Sequence, residues 1–213
     1  MSEPIGLRER KKLRTHATIS ETAIALFLDR GYDDVSVAEI AAAAEVSKRT
    51  LFAYFPTKDA LVLHRFADHE DEPARTVRGR AADESPLAAL RRHLRGALAQ
   101  RDPISGLCDL PAVVDFYRLV ITTPSLRAAL LGYGQRSEQH LAAALLEAAP
   151  DGPHAELTAR LGATQIARIL STLAFDNQAQ IAAGATADRL APAAEAAAEH
   201  AFTLLTHGLV DYR

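Results

Sequence analysis

Polar residues able to hold a nucleic acid crowd into one short stretch, "VSKRTLFAYFPTKDAL" (46–61). Lys48 and Arg49 open what reads as a short helix capped by Ser47. Cations at such a helix start can donate to O6 and N7 of guanine, and Thr50 can bond a phosphate or touch a thymine methyl. Lys58, in the first turn of the following helix, can meet a phosphate together with free backbone N–H groups. Phe52, Tyr54 and Phe55 place three aromatics in four positions. Pro56 then ends the helix, because a residue before proline avoids the α region. The aromatics and Pro56 therefore fix the helix, and the polar residues face outward if Leu51 and Phe55 face inward. The competing reading is a set of solvated cations on an ordinary helical hairpin.

Other chemistries find little support. The chain has no G-x-S-x-G, P-loop or H-E-x-x-H, and "GYGQRS" (132–137) follows no strand, so an enzyme is not expected. The eight histidines include no i, i+4 pair and Cys108 is the one cysteine, so no metal, no cofactor and no intramolecular disulfide are expected. A cytoplasmic setting fits that cysteine usage. Apolar runs are short and broken by charge, and the first residues are polar, so neither a membrane span nor an export signal is expected. The formal charge is −3 over 213 residues, yet all four lysines (Lys11, Lys12, Lys48, Lys58) lie in the first 58. Local field outweighs net charge in binding a polyanion, so the N-terminal quarter is the candidate. The abundance of arginine and alanine fits a bacterial gene.

The elements that must position these side chains read as helix nearly throughout. Ile19, Ala23, Leu26 and Phe27 share one face of a helix over 13–29, which Gly31 stops. Ser36-Val37-Ala38-Glu39 is a capping box opening a second helix, with Val37, Ile40, Ala41 and Ala44 on one side. Residues 36–55 thus have the arrangement of a helix-turn-helix. Thr57 caps a fourth helix expected to run from 58 towards 75–80, through "DHEDE" (68–72) as a solvated face. Ser85-Pro86 opens another with Leu87, Leu90, Leu94 and Leu98 inward. Helices over 109–121, about 125–148, 155–183 and 188–209 complete an all-α chain of about nine helices, with "APDGPH" (149–154) as the clearest loop. The expected domains are 1–56, a three-helix DNA-binding domain, and 57–213, a helical ligand-binding and dimerisation domain.

The stretch "GYDDVSVAEIAAAAEVSKRTLFAYFPTKDAL" closely resembles the N-terminal pattern of the TetR family of bacterial transcriptional repressors, over about 50 residues. The resemblance implies a homodimer that binds double-stranded DNA and carries a variable C-terminal ligand domain. It also implies that Ser36, Thr50, Tyr54 and Lys58 contact phosphates, that Lys48 and Arg49 lie near bases, and that Ser47 belongs to the same surface. Three departures stand out. Glu45 occupies a turn position usually held by glycine; a positive φ there costs on the order of 1 kcal/mol. Phe52 lacks the hydroxyl of a frequent tyrosine, and Ala38 and Ala53 are too short for polar base contacts. The run "LRERKKLR" (7–14), with five cations, reads as a flexible segment that either reaches the DNA or only aids solubility.

Further along, Ala191, Ala194, Ala198, Ala201 and Leu205 form a small-residue stripe, and Ile166, Leu170, Leu173, Asn177 and Ile181 a second face. Two such helices per subunit would build a dimeric four-helix bundle, with Leu170, Leu173, Ala194, Ala198, Ala201 and Leu205 in the interface; the alternative is packing inside one subunit. Phe116, Tyr117 and Val120, with the polar stripe Tyr133, Arg136, Ser137 and His140, outline a candidate pocket for a small, largely apolar effector. Asn177 either joins that pocket, pairs across the dimer or sits at an edge. The function expected is a sequence-specific regulator, a repressor released from a palindromic operator by its ligand. The alternatives are a helical binding or enzymatic protein with a degenerate DNA-binding domain, and a DNA-binding regulator without a ligand.

Overall fold

The computed structural model of the chain describes residues 6–149 and 152–208. Pro150 and Asp151 of the 149–154 loop, and Leu209 at the expected end of the last helix, lie outside the described residues. Among those described, the chain is all-α: ten α-helices and one 3-10 turn, with no strand. It divides into two compact units, Met1–Arg65 with Arg118–Leu130, and Phe66–Tyr117 with Leu131–Arg213.

The first unit is built on α1 (Leu7–Arg30), α2 (Val37–Ala43) and α3 (Lys48–Tyr54), followed by the start of α4 (Ala60–Glu70). Ile19, Ala23 and Phe27 of α1, Val35, Ile40 of α2, and Leu51 and Phe55 around α3 are all essentially inaccessible. That pattern is the 3.6-residue periodicity of each helix turned inward. Leu61, Val62 and Leu63 are equally buried, and Ser20 on α1 donates to the Leu61 carbonyl at 2.8 Å, so the first turns of α4 stay with α1. The cationic run 7–14 is not a flexible arm: α1 is helical from Leu7, with Arg10, Lys11, Lys12 and Arg14 exposed along it.

Glu45, in the turn between α2 and α3, has φ 55°. The turn needs this left-handed residue, since the N–H groups of Glu45 and Val46 return to the carbonyls of Ala42 and Ala41, at 3.1 and 2.9 Å. An L side chain in that region costs roughly 1–2 kcal/mol. Glu45→Gly is expected to raise stability by up to about 1 kcal/mol, less whatever glycine adds to unfolded-chain entropy. Thermal melting of the two proteins checks this, and an unchanged or lower midpoint would remove the strain argument.

The second unit contains α5 (Glu72–Arg78), α6 (Pro86–Ala99), the 3-10 turn Pro103–Ser105, α9 (Ala155–Ala182) and α10 (Ala187–His207). It also holds most of α8 (Pro124–Ala148) and the first half of α7 (Pro111–Thr122). One core cluster joins Ala74, Val77, Leu90, Leu141, Ala144, Ala163, Ile166 and Phe202. Another joins Leu98, Leu107, Ile181, Leu190, Ala194 and Ala198. The helix expected over 58–80 is two helices, broken at Asp71. Pro73 has no N–H to give the His69 carbonyl and its ring would clash with that carbonyl, so the helix restarts with proline in its first turn.

The alanine stripe of α10 packs within its own chain, one of the two alternatives its spacing left open. Ala194, Ala198 and Ala201 are 6%, 2% and 8% exposed within a single chain, and the first two pack in the cluster that contains Leu98 of α6. Small residues let α10 approach its own chain closely. Leu170, Leu173 and Leu205 are partly buried against the same two clusters.

Candidate nucleic-acid interface

The interface starts from two caps. Ser36 accepts the Glu39 N–H at 3.2 Å, and Glu39 Oε2 accepts the Ser36 N–H at 2.9 Å, closing the capping box. Arg30 reaches the other Glu39 oxygen at 2.7 Å. The Ser36 backbone N–H first, then its hydroxyl and Arg30, hold the Glu39 carboxyl down to about 2. Ser47 caps α3 by accepting the Thr50 N–H at 3.0 Å, and its hydroxyl lies 2.8 Å from that of Thr50.

Between these caps and the buried pair Leu51 and Phe55, α3 can present only one face outward. Lys48 and Arg49 are exposed on it, Thr50 and Tyr54 half-buried beside it, and Phe52 is 48% exposed. Ser36 and Ser47 are also exposed. The structure therefore places six of the seven sequence-derived residues (Ser36, Ser47, Lys48, Arg49, Thr50, Tyr54) on the accessible side of the α2–α3 pair or at its edge.

Lys58 differs. Its ammonium donates to the Tyr32 carbonyl at 2.5 Å and lies 4.3 Å from the Tyr32 ring centroid and 5.3 Å from that of Phe27. A carbonyl and two ring faces together stabilise a desolvated cation. The same corner is tied by Tyr32, whose hydroxyl donates to Asp59 at 2.5 Å, and by Ser125 donating to Asp59 at 3.3 Å. Lys58 thus has a structural role in addition to any contact it makes with a phosphate.

Residues 19–64 match the family described as bacterial regulatory proteins, tetR family. That segment, 19–64, is of the TetR type. The HTH-type transcriptional regulator TcmR of Streptomyces glaucescens is 34% identical over 138 residues, 64% of this chain and 61% of that protein. The HTH-type regulator YuxN of Bacillus subtilis is 36% identical over 89 residues, 41% of this chain and 29% of its own length. The chain thus spans less than two thirds of either relative. NalD, the secondary repressor of the MexAB-OprM multidrug efflux pump in Pseudomonas aeruginosa, superposes with TM-score 0.56 at 17% identity, over 92% of this chain and 97% of that one. A TetR-family regulator from Streptomyces coelicolor gives 0.53 at 21%, over 95% and 99%. At these identities the likeness is one of fold alone. The resemblances point to regulators and not to enzymes, and no helix among the described residues is long and apolar enough to cross a membrane.

The candidate effector residues separate into groups. Phe116 and Tyr117 are buried in the second unit, where their rings and that of Phe66 pack at 5.8–6.1 Å. The Tyr117 hydroxyl donates to the Pro103 carbonyl at 3.0 Å, and burial pushes its pKa up. Val120, fully buried, belongs to the first unit. Tyr133, Arg136 and His140 do gather, around a residue that sequence reasoning missed. Arg136 bonds both oxygens of Glu70 at 2.8–3.0 Å, His140 lies 3.8 Å from it, and the guanidinium covers the Tyr133 ring at 4.3 Å. Asn177 is buried with its amide donating to the Ser105 carbonyl at 3.0 Å, holding the 3-10 turn. A cleft of about 700 Å3 in this unit is lined instead by Ala81, Asp83, Glu84, Ser85, Ala88 and Arg92. It is open and charged, so it does not match a site for an apolar effector.

"DHEDE" is likewise more than a solvated face. Glu72 accepts from His69 at 2.7 Å and faces His93 of α6 at 3.3 Å. Those two imidazoles hold the Glu72 carboxyl down to about 2. No local pattern announced either partner, because Arg136 and His93 lie 66 and 21 positions away.

Proposed function

We propose that this chain is a sequence-specific transcriptional regulator, a homodimeric repressor that leaves a palindromic operator when a small, largely apolar ligand binds. Residues 1–56 form the DNA-binding domain and 57–213 the ligand-binding and dimerisation domain, working in the cytoplasm without catalytic activity. The observation that carries this reading is the pair Lys48 and Arg49, exposed at the start of a capped helix whose Leu51 and Phe55 are 0% and 1% exposed. Solvated cations on an arbitrary hairpin would not require that clamp, nor the family match around it. TcmR and NalD, the first a transcriptional regulator and the second a repressor, support the same direction.

A second copy finds an apolar surface on α9. Leu157, Leu161 and Phe175 are 46%, 53% and 42% exposed, and at 3.6 residues per turn they lie within about 40° of one another. This face is part of the proposed interface. For the ligand, Gln178 offers a buried side-chain oxygen with no hydrogen-bond partner among the described residues, so a bound molecule with a donor group would relieve it. By linkage, a ligand that weakens DNA binding must bind the DNA-free protein more tightly by the same factor; about 1–3 kcal/mol gives a 5–150-fold response.

Selection of bound sequences from a random DNA pool tests the reading. Enriched sequences are expected to be inverted repeats, with half-site spacing set by the dimer. Their affinity is expected to fall steeply as salt rises. A folded preparation that enriches no sequence at moderate salt rules the proposal out.

A further inference from the structure

Lys12, Leu13 and His16 on α1, with Tyr54 at the last residue of α3, line a cleft of about 220 Å3 in the first unit. Its histidine packs among aromatic rings. The His16 ring stacks on Phe55 at 4.3 Å with a 33° tilt and meets His64 of α4 edge-on at 4.8 Å. His64 is oriented in turn by Ser20, whose one hydroxyl proton goes to the Leu61 carbonyl at 2.8 Å, so that Ser20 Oγ accepts from His64 Nε2. Lys12 precedes His16 by four residues and so shares its helix face. The Tyr54 ring stands 6.3 Å away on the other wall.

The lining therefore combines a fixed cation, a titratable imidazole, a phenol and the 53% exposed side chain of Leu13. The three polar groups donate to an oxyanion, and Leu13 offers an apolar surface to a sugar. One strand of DNA presents that combination at every nucleotide. The cleft adjoins the C-terminal end of the helix that carries Lys48 and Arg49.

We propose that this cleft seats one backbone phosphate of the operator, with His16 as its proton-dependent ligand. The inference rests on the DNA-binding reading and adds to it a pH-regulated contact. Among the described residues, Lys12 on the same helix, Tyr54 from α3 and His64 from α4 are titratable groups beside His16. Imidazole is the side-chain type whose charge ordinarily changes between pH 6 and 8. A phosphate in the cleft favours the His16 imidazolium, so the complex takes up a proton. Affinity is then greatest at the acid end of the range and fades as pH rises.

The test measures binding of the selected operator across a salt series at about pH 6 and pH 8. Uptake of a proton on binding makes wild type bind roughly three- to tenfold tighter at the lower pH. The added phosphate contact steepens the log–log salt slope there by about 0.9. His16→Phe keeps the ring stack and gives the shallow slope at both pH values, while His16→Arg gives the steep slope at both. Equal slopes for wild type at the two pH values overturn the seat, as does a pH response that survives in His16→Arg. A response that survives His16→Phe but disappears in His64→Gln belongs to the other histidine and overturns the seat as well. Folded protein that binds no DNA at either pH overturns the DNA-binding reading together with the seat.

Discussion

Arg49→Ala binds the selected operator about 1–3 kcal/mol more weakly, with the loss concentrated at one or two base pairs. Arg49 is exposed at the second position of α3, and among the described residues no hydrogen bond or ion pair holds it. Its removal therefore subtracts a base contact without disturbing the fold. The start of the helix stays in place because Ser47 and Thr50, not Arg49, make the cap. Lys58→Ala gives a different pattern, since it also removes the ammonium from the Tyr32 carbonyl and ring. That variant is expected to melt at a lower temperature and to weaken all sequences alike, with a salt slope flatter by roughly one unit. Competition binding against single-base operator variants, read beside thermal melts, separates the two. If Arg49→Ala weakens every sequence equally, Arg49 is a phosphate contact and the base reading falls to Lys48.

Local chemistry in the first unit was legible because it is local. The Ser36 box, the Ser47 cap and the positive φ of Glu45 each involve residues close in sequence, and all are present. Thr57 accepts the Ala60 N–H at 3.1 Å, but α4 begins only at Ala60, not at Lys58 as expected. The break at Asp71 was equally local and was missed, because the polar run around Pro73 read as one continuous face. What sequence could not reveal are pairings chosen by tertiary packing. Arg136 with Glu70, His93 with Glu72 and Asn177 with the Ser105 carbonyl join positions far apart in the chain. The alanine stripe shows the same limit in another form. Its spacing announces close approach of a helix, but a subunit's own α6 and a partner's helix ask for the same small residues. Burial of Ala198 to 2% inside one chain shows the first of these contacts in place.

Phe55→Ala is expected to remove about 3–5 kcal/mol of stability and, with it, DNA binding. Phe55 is 1% exposed and ends α3, its N–H bonded to the Leu51 carbonyl at 2.9 Å. Its ring touches those of His16 at 4.3 Å and His64 at 5.4 Å, from two other helices. At seven residues α3 is far too short to persist alone, since an isolated helix below about 12 residues is marginal even with favourable sequence. Leu51 and Phe55 must therefore supply by packing what the helix lacks in length. Pro56 holds Phe55 at φ −133° by excluding the α region, so the ring cannot follow a relaxed helix out of the core. A natural domain has roughly 5–15 kcal/mol in hand, so this one cavity uses a large part of it. Phe55→Leu, which refills most of the volume, is expected to lose much less, about 1–2 kcal/mol. Urea unfolding followed by circular dichroism measures both variants, and operator binding at low temperature tests whether residual α3 still reads DNA. An alanine variant losing under about 1 kcal/mol would mean that α3 is held by something other than its buried face, and the outward placement of Lys48 and Arg49 would lose its physical cause.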